Sequence, residues 1–140
     1  MGNYTQLEFS GTVKKEYSEA IDKLMTYVYP EYFSEGAESM PWKSTGVDFM
    51  MEFANVSRAT FIPYGADKNN REWNKETGKW FFITALKNYA GTYEAFFEIV
   101  PLFMETVEKC ITTDDVVREH ALIDGKINCT KIDKNAKPYF

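Results

Sequence analysis

Two tryptophans seven positions apart, with a glycine just before the second, constrain this chain more than any other feature. Trp73-Asn74-Lys75-Glu76-Thr77-Gly78-Lys79-Trp80 puts Gly78 at the end of a four-residue turn. A left-handed residue is wanted there to close a type I turn with a bulge, so the string predicts a β-hairpin with Trp73 facing Trp80. From Lys79 to Leu86 apolar groups occupy both alternating sets, Trp80, Phe82 and Leu86 against Phe81, Ile83 and Ala85. A strand covered on both sides reads this way, and such a strand sits inside a sheet.

The flanking segments supply the rest of a sheet and its cover. Asn3 to Ser10 alternates, with Thr5, Leu7 and Phe9 on one side, and Ser10-Gly11 punctuates its end. From Val13 the period becomes helical through Tyr17, Ala20, Ile21, Leu24 and Val28, with Thr12 as N-cap and Pro30 as stop. Residues 31–46 read as a connecting excursion, Phe49 to Phe53 as a short helix, and Arg58 to Pro63 as a strand whose proline suits a sheet edge. Thr92 to Lys109 is helical again, with a kink or break expected at Pro101. Cys110 to Thr113 and Val116 to Ile123 read as strands, Asp114-Asp115 as a polar turn, and Asp124-Gly125 as a type I′ turn into Lys126 to Ile132.

The resulting order is strand, helix, strand, strand, helix, strand with a C-terminal hairpin arm. It predicts an α+β, ferredoxin-like split β-α-β fold (βαββαβ), two helices lying on one face of an antiparallel sheet. We read residues 1–132 as a single domain and 133–140 as a tail. At 140 residues, with 44% hydrophobic and 16% aromatic content, one core suffices without a staple.

Several string patterns resemble small uncharacterised proteins of bacteriophages and other mobile elements. They are the opening Met1-Gly2-Asn3-Tyr4-Thr5, the Ser57 to Pro63 strand, Thr77-Gly78-Lys79-Trp80, Leu86-Lys87-Asn88-Tyr89 and Asp124-Gly125-Lys126-Ile127. More distantly, the layout is similar to the ferredoxin-like domain of YubB-type proteins. The resemblance implies the fold and a phage or mobile-element setting; it carries over no functional residue.

Composition narrows the function classes. The net charge of −5 disfavours nucleic acid as a ligand, since backbone affinity rests on cations that displace counterions. No apolar run approaches the ~18 residues of a membrane span, and the N-terminus lacks a secretory pattern, so a cytoplasmic location is expected. Cys110 and Cys129 fit no metal or disulfide framework, Asp67 to Glu72 begins like a calcium loop but lacks its later ligands, and no phosphate-cradling glycine string occurs. No cofactor is predicted.

General acid–base chemistry would have to use His120, the sole histidine, with a neighbouring acid or a thiol. A surface strand residue is the plainer reading of it, so a hydrolase built on His120 is carried only as an alternative to a non-enzymatic protein. Two surfaces remain for binding. Tyr64, Lys68, Asn69, Asn70, Arg71 and Trp73 mix aromatic faces with donors. Glu31, Glu35 and Glu38, continued by Asp48 and Glu52, form an acidic excursion. The corresponding bland readings are a solvated loop with Trp73 folded on its hairpin, and a solvated face.

The expectation is thus an accessory protein that inhibits or sequesters an unidentified host protein by stoichiometric contact, as an anti-CRISPR-like counter-defence inhibitor does. A sponge that binds a small nucleotide signal beside Arg71 and Trp73 is the other alternative. Pairing with a second copy at the Arg58 to Pro63 edge or the C-terminal hairpin is the self-association the sequence offers.

Overall fold

The computed structural model describes residues 4–26, 70–87 and 92–134. Among these residues six strands form one sheet: β1 (Tyr4–Val13), β2 (Arg71–Asn74), β3 (Lys79–Lys87), β4 (Met104–Thr113), β5 (Val117–Ile123) and β6 (Lys126–Asp133). Their order is β2-β3-β1-β4-β5-β6, and every neighbouring pair is antiparallel. A single 3-10 turn (Lys15–Tyr17) leads into α1 (Ser18–Thr26), and α2 (Thr92–Phe103) joins β3 to β4. The fold is therefore α+β, as the hydrophobic periods predict. The expected strand at Arg58 to Pro63 and the helix at Phe49 to Phe53 lie outside the described residues, as do residues 135–140 of the expected 133–140 tail, whose first residue, Asp133, instead ends β6.

Both described α-helices bury against the same side of the sheet. Register sets Phe9 opposite Phe82 on one neighbour and opposite Cys110 on the other, so these side chains share a face. Ala20, Ile21 and Leu24 of α1 and Phe96, Ile99, Val100 and Phe103 of α2 join them in one core cluster. Phe9 stands at its centre, with ring centroids 5.4 Å from Phe82, 5.8 Å from Trp80 and 5.3 Å from Phe96. Each such side chain contributes roughly 2 kcal/mol by leaving water. On the other face Ile83 and Ala85 are buried as well, as the two-sided pattern of β3 requires.

Three boundaries differ from the sequence reading, each for a physical reason. β1 does not stop at Ser10-Gly11 but runs on to Val13, with register shifts against β4 at Ser10/Gly11 and Thr12/Val13. A Cβ on Gly11 would lie 2.1 Å from the Thr106 carbonyl oxygen, so this glycine permits a close backbone approach at a bulge. Thr12 consequently pairs within the sheet instead of capping a helix, and α1 begins only at Ser18. The second helix ends at Phe103, not Lys109, and Met104 to Lys109 belongs to β4. Pro101 removes the hydrogen bond that the Phe97 carbonyl would accept, so the helix ends within a turn of it, and β-branched Thr106, Val107, Ile111, Thr112 and Thr113 suit the strand that follows.

Both predicted hairpin turns form. Gly78 has φ of 75° and its N–H donates to the Asn74 carbonyl at 2.8 Å, while Asp124 and Gly125 adopt φ of 51° and 76°, the two positive values of a type I′ turn. Asp114 accepts the Val116 N–H at 2.9 Å and so makes the expected polar turn.

Candidate functional site

Of the residues singled out for binding, Tyr64, Lys68, Asn69, Glu31, Glu35 and Glu38 lie outside the described residues; Arg71 and Trp73 lie on β2. Trp73 faces Trp80 across the hairpin and packs on the core. Its indole N–H donates to Asp22 Oδ1 at 2.9 Å, tying β2 to α1. Lys75 strengthens that tie by reaching Glu19 at 2.8 Å and Asp22 at 3.8 Å, and its ammonium lowers the Glu19 pKa. The polar handle of Trp73 is thus committed inside the protein, while Arg71 is exposed. Asn70, just before β2, is buried and its carbonyl accepts the Ile83 N–H at 2.8 Å.

His120 is half-buried on the helix side of β5 and is not the surface residue the sequence suggested. Its Nε2 lies 3.0 Å from Thr112 Oγ1, and its ring centroid lies 4.9 Å from that of Phe97 on α2. Burial, assisted by the Arg118 cation, lowers its pKa below the ordinary 6.5. Glu119 projects to the opposite face and meets Lys131 at 3.6 Å, so it does not orient the imidazole. Of the two thiols, Cys129 sits across from His120 in register and is exposed, its S–H donating to the Lys131 carbonyl at 3.7 Å. Cys110 is buried in the core, where desolvation pushes its thiol up to about 12. Among the described residues no group of three or more His, Cys, Asp or Glu side chains could hold a metal ion.

A concavity lies elsewhere. A groove of about 610 Å³ separates α2 from the β5–β6 turn, with a floor of Phe97, Pro101, Leu102 and Ile127. Glu94 and Glu98, one helical turn apart, form its helix rim, and Gly125 and Lys126 close the hairpin end. The volume falls in the range of ligand-binding clefts. Sequence reasoning missed this site because it joins two segments, 94–102 and 125–127, that are separate in the chain. The available signal was a second stripe on α2: Tyr93, Phe97 and Pro101 at a spacing of four, beside the core stripe of Phe96, Val100 and Phe103. A smaller hollow of about 360 Å³ involves Ser10, Glu72, Lys79 and Glu108.

No helix among the described residues is long and apolar enough to cross a membrane. No protein-family model, curated protein or solved structure matches the chain.

Proposed function

We propose that this chain is a phage-type accessory protein that inhibits or sequesters a host protein by stoichiometric contact in the host cytoplasm, in the manner of an anti-CRISPR-like counter-defence inhibitor. The observation that carries this reading is how the polar groups are used. His120 is held by Thr112 and Phe97, Trp73 by Asp22, and Arg118 by Asp114 at 3.3 Å, whereas the apolar groove beside α2 stands open to solvent. Groups already paired inside the fold stabilise it, and an apolar concavity facing water is what a partner covers.

The arrangement β2-β3-β1-β4, with α1 and α2 joining its halves and every pair antiparallel, supports the finer fold reading of a ferredoxin-like split β-α-β core with a hairpin arm. On this reading the likeness to mobile-element proteins and to YubB-type domains is one of scaffold, and function rests on the surface. Arg71, exposed and next in sequence to the Tyr64 to Asn70 stretch, remains in the proposed contact surface.

The test is affinity capture of the tagged full chain from host lysate with quantitative mass spectrometry. We expect one host protein at near-equimolar yield, with a matching stoichiometry after reconstitution from purified components. Repeated recovery of no partner near that ratio would overturn the proposal.

A further inference from the structure

The groove has a feature that an ordinary ligand cleft lacks: its outer wall is the β5–β6 turn and the first two residues of the rim strand, Lys126 and Ile127. Among the described residues β6 pairs with β5 alone, and all eight of its residues except Ile127 are exposed. A rim strand presents a row of backbone N–H and C=O groups that can extend the sheet. The opposite rim, β2, is only four residues long.

We propose that the groove between α2 and β6 receives an extended segment of a partner protein, which adds to β6 as a seventh strand and presents alternating apolar and basic side chains to α2. This inference rests on the contact reading above and names where and how the contact is made.

Three observations select that occupant. Register places Ile127 on the helix side of β6, so the side chain opposite it on an added strand faces the floor of Phe97, Pro101 and Leu102 and must be apolar. Neighbours at a spacing of two approach the helix rim, where Glu94 and Glu98 are exposed, so a Lys or Arg fits and an Asp or Glu is repelled. Among the described residues Lys126 is the one cation of the lining and stands at the turn end, so the basic positions belong toward Glu94 and Glu98.

A second copy of this chain is the poorer occupant. β6 carries Lys126 and Lys131 and a register irregularity at Thr130, which is skipped in the pairing with β5 and donates its hydroxyl to the Glu119 carbonyl at 3.2 Å, and lysines and bulges on a rim strand are devices that oppose self-pairing.

The probes are fluorescein-labelled ten-residue peptides with Thr on one alternating face. The other face carries Leu and Lys, or Leu and Glu; a third peptide has the Leu and Lys face with prolines at every second Thr position. Fluorescence anisotropy with the full chain should show binding of the Leu/Lys peptide, at least about tenfold weaker binding of the Leu/Glu peptide, and none of the proline peptide, which lacks the strand donors. Amide hydrogen exchange should slow across residues 126–133. The double variant Glu94→Lys/Glu98→Lys, both exposed positions that should leave the fold intact, should invert the preference between the charged peptides. Leu102→Asp should abolish binding while Lys75→Ala, at α1, leaves it unchanged.

Equal binding of the two charged peptides, protection confined to other strands, or no binding of the Leu/Lys peptide up to ~1 mM would overturn the inference. Light scattering that detects a dimer abolished by Glu94→Lys/Glu98→Lys would overturn it in favour of the second copy. If a host partner is captured equally by wild type and the double variant, the groove is refuted while the contact function stands. If the peptides behave as expected and no host partner is ever recovered, the contact function fails and the groove remains.

Discussion

β1 and β6 belong to one sheet, three places apart, yet Leu7 and Phe9 of β1 are fully buried while Ile132 of β6 leaves 54% of its surface in water. The strands have similar lengths and both alternate, so membership of the sheet does not decide burial. The helices decide it. α1 and α2 cover β1, β3 and β4, whereas among the described residues the β5–β6 arm meets only the flank of α2, through the Phe97 to His120 contact and Ile127. The arm is otherwise held by its ladder, its turn and ion pairs such as Arg118 to Asp114 and Lys131 to Glu119, which at exposed positions contribute about 0–1 kcal/mol each. One sheet thus has a packed half, where substitutions are felt as lost packing, and an arm whose surface is free to meet something else.

The largest contrast between the halves should be chemical. At pH 8 a thiol with a pKa of about 12 is thiolate to on the order of one part in 10⁴, and Cys110 is also shielded from reagent. Cys129 on the arm is exposed. Alkylation of the native protein followed by mass spectrometry should therefore label Cys129 alone, and denaturation should release Cys110. Two equally reactive native thiols would mean that the packed half opens as readily as the arm.

The two hairpin glycines give the next contrast. Both have positive φ, which costs a residue with a side chain roughly 1–2 kcal/mol. A Cβ on Gly78 would also lie 2.9 Å from the Val13 carbonyl oxygen, and the Val13 N–H donates to the Gly78 carbonyl at 2.8 Å, so relief of the clash strains that bond. A Cβ on Gly125 would meet nothing within 4 Å. Gly78→Ala should destabilise by about 3 kcal/mol and Gly125→Ala by about 1 kcal/mol in urea unfolding. Equal losses would show that the packed turn relaxes as freely as the open one.

These turns were also the most legible parts of the sequence, because a positive φ is a local demand that glycine answers locally. The two-sided burial of β3 could be read for a similar reason: both of its apolar sets are present in one contiguous string. The ends of β1 and α2 were not readable in this way. Val100, Met104 and Val107 keep a helical spacing by coincidence, and what turns Met104 into a strand residue is its pairing with Val13, about 90 positions earlier. Gly11 looks like punctuation until Thr106 is seen to crowd it. The candidate site divides likewise. Trp73 was singled out as a contact residue from its neighbours in sequence, but its indole N–H turns to Asp22, 51 residues away. The α2–β6 groove depends on two segments that only the fold brings together.

The smallest effect tests the seam where the arm meets α2. Burial, and secondarily Arg118, lowers the His120 pKa, so the folded protein binds a proton there less readily than the unfolded chain. Contact with the Phe97 ring favours the cation somewhat, but less than burial disfavours it. The sign follows from linkage: the stability contributed by neutral His120 is fully present above pH 6.5, the ordinary value, and is lost as pH falls from there through the lowered folded value. Thermal unfolding between pH 7.5 and pH 5 should therefore show a steeper loss for the wild type than for His120→Gln, with the two profiles parallel above pH 6.5. Because the imidazole sits between Thr112 of β4 and Phe97 of α2, amides of residues 126–133 should begin to exchange faster in the same window, before those of β1 and β3. Acid sensitivity of equal size in the His120→Gln variant would place the titrating group elsewhere, and simultaneous exchange of all strands would mean that the arm and the packed half unfold as one unit.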